Sequence, residues 1–371
     1  MSRFVGKFVV LAVAALAAMI VNSKTLRGEE ESKATASQAA PAAPVVDPKC
    51  DGGCGCSSVC DPESFCHRHI IATAEAVWLA PLNNQRVGTY EILDGDNKPI
   101  SQYSAASATS DGLVATPRIM LGIQGECWGA QLRYWRMDES QTVNHLDPVV
   151  GTGLFAQSNF KAETIDLELT RLLCIGESQA QFSVGLRYAQ LEQSAGLSAN
   201  KILNYGINDN DFYSGSVLSG ARFSGTGITS ALTGLRPIGC GNFNLFYSLR
   251  ASLLWDGNAS NFVQTRADYQ NTTGPNWSKA YNAAYANGAS DMFIGELQIG
   301  GQWNYALECI PANAFIRVAF EYQYWATKNM GDARAFSFAG ALDGPVGVAT
   351  GRSGDVFVNL VGFNVGTGIT W

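Results

Sequence analysis

Four arginines recur at equivalent places in this sequence and could build a charged interior. Each follows a leucine or isoleucine in a segment that comes directly after a short turn, and carboxylates lie in neighbouring segments. Enclosed charges need partners, because an unpaired buried charge is costly. The pattern predicts an arginine–carboxylate ladder, which either holds the structure together by salt bridges or forms a charged constriction that selects solutes. The predicted inward-facing, pore-lining residues are Arg133, Arg187, Arg250, Arg317, Asp166, Glu168, Glu296 and Glu321, and Glu75 is expected to face inward too.

The nine cysteines fall into two groups. Four occur singly in short turns, and five occur in a Cys-rich segment, residues 50–69. An exported chain enters an oxidising compartment, where cysteines form disulfides. Either the segment docks under the rest of the chain through disulfides to the turns, with one cysteine left over, or it bridges internally and the turn cysteines only pack. The disulfide candidates are Cys50, Cys54, Cys56, Cys60, Cys66, Cys127, Cys174, Cys240 and Cys309.

The histidines and cysteines give only weak signs of a metal or catalytic site. Metal binding by the Cys-rich segment with His67 and His69 is an alternative, but the segment lacks the paired C-x₂-C spacing of structural zinc sites, and Glu63 interrupts a C-x-x-C-H haem motif. The one histidine beyond that segment, His145, stands near Asp138, Glu139 and Asp147 in a predicted loop, where a lone histidine is usually solvated. We therefore expect no metal, no cofactor and no enzymatic activity. A hydrolase site at the rim is the less favoured alternative.

The elements that position the charged residues are strands, and the last one has the clearest pattern. One face carries apolar residues and the other carries glycine, asparagine and threonine, as in a strand that faces lipid outside a barrel. The alternative is a soluble β-sandwich that ends on an edge strand. The aromatic final residue resembles the recognition signal of the outer-membrane insertion machinery. The predicted insertion signal comprises Phe363, Val365, Ile369 and Trp371.

The same alternation recurs upstream as hairpins. Short turns lie at residues 126–129 and around Cys174, Cys240 and Cys309. Short turns on one side and long loops on the other are typical of outer-membrane barrels. With a first strand at residues 72–82, the chain is predicted to be an all-β, transmembrane antiparallel barrel of about ten strands. Twelve is the alternative, because residues 85–116 could contain two more short strands. The predicted long loops are residues 138–161, 192–226, 255–291 and 326–354.

The N-terminal part differs from the barrel. Residues 1–23 have the basic start, apolar core and small-residue end of a cleaved signal peptide. Residues 24–49 are rich in Ala, Ser, Pro and Glu and predict a flexible linker. The Cys-rich segment at 50–69 is then periplasmic and residues 70–371 form the barrel. No apolar run after residue 21 is long enough for a helical span. The net charge of −7 and the lack of a basic stripe argue against nucleic-acid binding.

Five short stretches resemble the pore-forming outer-membrane proteins related to the Legionella major outer-membrane protein, a family of β-barrel porins. The resemblance covers residues 70–371, implies a barrel and suggests pore formation, and names no solute. The linker and the Cys-rich segment lie outside it. The stretches are Ile165-Asp166-Leu167-Glu168, Gly185-Leu186-Arg187-Tyr188-Ala189, Phe223-Ser224-Gly225-Thr226-Gly227, Ser252-Leu253-Leu254-Trp255 and Glu321-Tyr322-Gln323-Tyr324-Trp325.

We expect the chain in the outer membrane of a Gram-negative-type envelope, as a narrow or gated pore for small solutes. A wide porin is not expected, since about eight strands already fill with side chains whereas wide channels use sixteen or more. The alternative is a structural or surface-binding protein without an open channel. The expected partners are outer-membrane lipid, the barrel insertion machinery and surface partners of the long loops. Candidate partner-binding aromatics in those loops are Tyr205, Phe212, Tyr213, Tyr269, Trp277, Tyr281 and Tyr285.

Overall fold

The structure is a computed structural model of the chain. It describes residues 69–82, 86–106, 112–125, 128–147, 152–175, 178–204, 210–239, 242–271, 277–307, 312–340 and 344–371. The predicted signal peptide, linker and Cys-rich segment lie outside the described residues, as do Tyr205, Cys127, Cys240, Cys309 and the side chains of Cys174 and His145.

The described residues are almost entirely β-structure. No helix among them is long and apolar enough to cross a membrane. The strands are β1 (His69–Leu82), β2 (Arg86–Leu93), β3 (Pro99–Ala106), β4 (Val114–Gln124), β5 (Trp128–Asp147), β6 (Thr152–Ile175), β7 (Ser178–Asn204), β8 (Asn210–Pro237), β9 (Phe243–Asn271), β10 (Trp277–Leu307), β11 (Ala312–Lys328), β12 (Ala333–Gly340), β13 (Val346–Ser353) and β14 (Phe357–Thr370).

Ten strands close into an antiparallel barrel in the order β1-β14-β11-β10-β9-β8-β7-β6-β5-β4. The ring closes on β1, where Ala72 is paired with Ile369 of β14 on one side and with Leu121 of β4 on the other. Closure leaves no unpaired strand edge at this level, which is what a barrel in lipid requires. The predicted ten-stranded antiparallel barrel is confirmed. We call the end that carries His69 and Trp371 the lower end.

The lower half of the barrel is apolar outside. On β4, Ile119, Leu121 and Ile123 point outward and are 49%, 58% and 63% exposed, whereas Arg118 and Gln124 point inward and are buried. On β14, Phe363 and Val365 likewise point outward, with Trp371 exposed at the end of the row. An outward apolar row that alternates with inward polar residues is the pattern of a strand facing lipid.

The upper half differs from the sequence prediction. The segments predicted as long loops continue mostly as strands, so that β5 to β10 have 20 to 31 residues while β1, β4, β11 and β14 have 11 to 17. In the upper half, small and polar residues alternate between the two faces of each strand. The amino-acid composition of these segments resembles that of loops. On β9, for example, Ala259, Asn261 and Val263 are buried in succession on one face. The barrel therefore has a tall wall, β5 to β10, and a short wall formed by its other four strands.

Two hairpins of the short wall fold over the upper end. The hairpin β2–β3 connects β1 to β4 and the hairpin β12–β13 connects β11 to β14. Together they form a four-stranded sheet, β12-β13-β2-β3, which we call the lid sheet. The short strands that the twelve-strand alternative placed in residues 85–116 exist, but they pair within the lid sheet and stay outside the barrel.

The lid sheet packs on the inner face of the tall wall. Tyr90 and Ile92 of β2 are fully buried among residues of β7, β8 and β9, and burial raises the pKa of the Tyr90 phenol. The Tyr213 hydroxyl donates to the carbonyl oxygen of Pro345 at 2.9 Å. The upper half is thus two sheets packed face to face, with side chains from both filling the space between them.

The first prediction concerns the cost of placing a charge on the apolar exterior of the lower half. Leu186 is 65% exposed at mid-height of the lower half of β7, whereas Leu218 is 41% exposed on the upper half of β8. We expect Leu186→Arg to lower the free energy of unfolding in lipid vesicles by about 2–4 kcal/mol, the cost of an arginine near the bilayer midplane. We expect the matched variant Leu218→Arg to unfold like the unchanged protein. Urea titration followed by the heat-modifiable gel shift measures both, and equal losses would contradict the assigned lipid level.

Candidate functional site

The inward faces of the lower half bring ten ionisable side chains together. We call this group the charged cluster. All eight predicted pore-lining residues belong to it, together with Glu75, whose inward position was expected, and Arg118, which the sequence analysis missed. Five guanidinium groups (Arg118, Arg133, Arg187, Arg250, Arg317) face five carboxylates (Glu75, Asp166, Glu168, Glu296, Glu321).

Strand register sets the levels of these residues. Arg133 of β5, Asp166 of β6 and Arg187 of β7 are paired side by side, and Arg187 binds Asp166 through two hydrogen bonds of 2.5 and 2.7 Å. Arg250 of β9 lies beside Glu296 of β10 in the same way. Side chains opposite each other on one sheet face are close enough to interact. The predicted ladder is therefore built into the pairing of neighbouring strands.

Arg118 could have been found from the alternation alone. Ile119, Leu121 and Ile123 mark the outward face of β4, which puts Arg118 on the inward face opposite Glu75 of β1. Its Nη1 atom donates to Glu75 at 3.0 Å and to Glu321 at 2.9 Å. The four predicted arginines all come after short turns, whereas Arg118 lies on a strand that leads into one.

Several ion pairs cross the lumen. Strands β5 and β10 are five positions apart in the ring of ten and so stand opposite each other. Even so, Nη2 of Arg133 on β5 lies 2.8 Å from Oε2 of Glu296 on β10. Arg250 of β9 similarly reaches Glu168 of β6, three positions away. Side chains from opposite walls are in direct contact at this level and occupy the centre of the barrel.

A layer of apolar side chains lies above the charged cluster. We call it the apolar layer. Trp135 of β5 and Trp325 of β11, which stand four strands apart, have ring centroids 6.0 Å from each other across the interior. Both rings are 1% exposed or less, and each indole N–H has a partner: Trp135 donates to Thr116 and Trp325 to Gln323. Its other large members are Leu79, Met137, Phe160, Leu191, Phe223, Leu254, Met292, Ile294, Met330 and Leu360.

Below the charged cluster the interior is hollow. A cavity of about 480 Å³ extends from the cluster towards the lower end, where Gln179, Asn304 and Asn313 line it. On one wall, Arg317 stacks 3.7 Å from the centre of the Phe246 ring and donates two hydrogen bonds to Oε1 of Gln302. A Cβ on Gly366 would lie 2.7 Å from Cγ of Glu75, so glycine leaves room for Glu75 beside Arg317.

Asp138 pairs with the neighbouring Arg136 on the exposed part of β5, and the backbone of His145 continues that strand. Phe212, Tyr213, Tyr269, Trp277, Tyr281 and Tyr285 lie in strands and not in the predicted loops. In the described part of the chain, no three His, Cys, Asp or Glu side chains are grouped so that they could hold a metal ion.

Comparison with known proteins gives structural likenesses only. No protein-family model and no curated protein matches the chain. Among solved structures it is similar to the outer-membrane protease OmpT from Escherichia coli, with 12% identity and a TM-score of 0.34 over 82% of this chain and 97% of that one. A Pseudomonas aeruginosa FadL homologue gives 9% identity and a TM-score of 0.27, covering 85% of this chain and 93% of that one. The toluene transporter TodX of Pseudomonas putida gives 9% and 0.25, covering 86% and 93%. TM-scores this low carry no argument about function.

The second prediction concerns the stability that the charged cluster provides. Glu296 pairs with both Arg133 and Arg187, at 2.8 and 2.7 Å. We expect Glu296→Gln to lower the free energy of unfolding by about 3–5 kcal/mol, because Arg133 and Arg187 must then share Asp166 and one buried positive charge is left uncompensated. Urea unfolding of the vesicle-inserted protein, followed by tryptophan fluorescence, measures the loss.

An ion-pair network on the lid provides the matched control. Asp332 accepts hydrogen bonds from Arg334 and Arg352, which lower its pKa, and all three side chains are exposed. Exposed ion pairs contribute little because water and salt screen them. We expect Asp332→Asn to unfold like the unchanged protein. Equal losses for the two variants would contradict the assignment of Glu296 to a closed interior.

Proposed function

We propose that this protein is an outer-membrane barrel that is closed in its resting state and has a structural or surface-binding role, without an open channel and without enzymatic activity. The observation that carries the proposal is the direct salt bridge between Arg133 and Glu296, on strands that face each other across the barrel. The apolar layer above it supports the same conclusion. A water-filled channel would expose the side chains along its wall, whereas the rings of Trp135 and Trp325 are buried.

The proposed outer-membrane location rests on the apolar exterior of the lower half. The predicted signal peptide and the predicted insertion signal at Phe363, Val365, Ile369 and Trp371 agree with it. Outer-membrane lipid and the barrel insertion machinery are then the proposed partners. In this orientation the lower end faces the periplasm, and the tall wall and lid sheet stand outside the cell.

A surface-binding role is supported by aromatic side chains on the upper half. Trp277, Tyr281 and Tyr285 of β10 and Phe336 and Phe338 of β12 are each at least half exposed. Aromatic residues are enriched where proteins meet partners. The proposed partners are molecules at the cell surface.

A gated pore is the second candidate. The cavity below the charged cluster favours it, because it already extends from the cluster towards the lower end. The resemblance to the pore-forming family, still a prediction, points the same way. In this case the charged cluster and the apolar layer would together be the gate.

Conductance separates the two candidates and is the third prediction. We expect the purified protein to give a heat-modifiable band and, in planar lipid bilayers, no discrete conductance steps with or without reductant. A porin inserted under the same conditions is the positive control. Stable steps from the unchanged protein would overturn the closed state. Steps that appear only with reductant would instead assign the Cys-rich segment a gating role.

A further inference from the structure

The cavity at the lower end has the features of a ligand site. Its volume of about 480 Å³ falls in the range of small-molecule pockets, roughly 300–1,000 Å³. Side-chain amides form much of its wall, and they belong to Gln131, Gln179, Gln298, Gln302 and Asn313. Amide and guanidinium N–H groups make this wall rich in hydrogen-bond donors.

The charges on this wall are unbalanced although the charged cluster as a whole is balanced. Asp166, Glu168 and Glu321 are at most 1% exposed and do not line the cavity. Among the described residues, the ionisable groups that line the cavity are four arginines (Arg118, Arg133, Arg250, Arg317) and two glutamates (Glu75, Glu296). The described part of the wall therefore carries an excess of positive charge.

Arg317 is the arginine best placed to meet a ligand. Its side chain is 15% exposed, the largest value among the five arginines of the cluster, and among the described carboxylates it pairs with Glu75 alone, at 3.5 Å. Stacking on Phe246 and hydrogen bonds to Gln302 hold the guanidinium plane in place. A fixed guanidinium is suited to bidentate binding of carboxylate or phosphate oxygens.

We propose that the cavity is a binding site for a small oxyanion, a carboxylate or a phosphate compound, that enters from the lower end. Arg317 supplies the charge, and Arg250, which is also paired with Glu168, adds to it. The amide of Asn313 is a further donor, and Gln131 and Gln298 share their amide N–H groups with Glu168 and Glu321. The site goes beyond the proposed function, since it requires neither an open channel nor a surface partner.

Calorimetric titration of the full chain in detergent micelles tests the proposal at fixed ionic strength. Pyrophosphate and citrate are the probes for phosphate and carboxylate, and maltotriose is the neutral probe. We expect saturable binding of at least one oxyanion and none of maltotriose. Which oxyanion binds then identifies the ligand chemistry.

Three variants assign the binding to the cavity. We expect Arg317→Gln to weaken oxyanion binding at least tenfold. Asn313 is at an exposed position on the cavity wall, and Asn313→Trp should weaken oxyanion binding similarly by filling the entrance. If Arg317→Gln does not fold, the binding measured for Asn313→Trp decides the question. The control Arg266→Gln removes an exposed arginine from the upper half of β9 and should bind like the unchanged protein.

Three results would overturn the proposal: no saturable oxyanion binding, binding unchanged in both cavity variants, or maltotriose binding as tightly as the oxyanions. Because the titration uses micelles and no transport, conductance steps in the bilayer experiment would leave this result unaffected. The two proposals therefore fail separately.

Discussion

The width of the barrel is the constraint on which the rest of this structure depends. Barrel diameter grows with strand number, and at ten strands the interior is only slightly wider than side chains can fill. Arginine and glutamate from opposite walls therefore meet at the centre, as Arg133 and Glu296 do. With water largely excluded at that level, every inward charge needs a partner and every inward apolar group needs a neighbour.

This constraint arranges the interior in zones that can be followed along a single strand. Rising along β11, Arg317 lies at the cavity wall, Glu321 in the charged cluster and Trp325 in the apolar layer. On β1 the order repeats, with Thr73 at the cavity, Glu75 in the charged cluster and Val77 in the apolar layer. Strands from different parts of the chain carry the same sequence of zones because neighbours are paired level with one another.

Where the short wall ends, the tall wall would expose an open edge and an uncovered inner face. The lid sheet covers that face, and β12 lies along β10 near its free edge. The Asn282 side chain of β10 donates to the carbonyl oxygen of Phe336 at 3.0 Å. Exposed strand edges invite unwanted pairing, so covering them protects the sheet. The result is a closed barrel below and a packed sandwich above, with the cavity and the exposed aromatic residues at opposite ends.

The sequence by itself determined which residues face inward in the lower half, because alternation along a strand is a local property and needs no knowledge of strand partners. Arg187 and Leu186 show this, since their types alone assign the two faces of β7. The same alternation continues through Ala259, Asn261 and Val263, but small and polar residues there have a loop-like composition, so the tall wall was predicted as loops. Only the tertiary structure decided that Arg133 meets Glu296, that β2 pairs with β13 and β3 with β2 and not with barrel strands, and that side chains block the lumen above the cavity. Each of these depends on how a closed ring brings distant strands together, and residue type along one strand carries no information about what stands on the opposite wall.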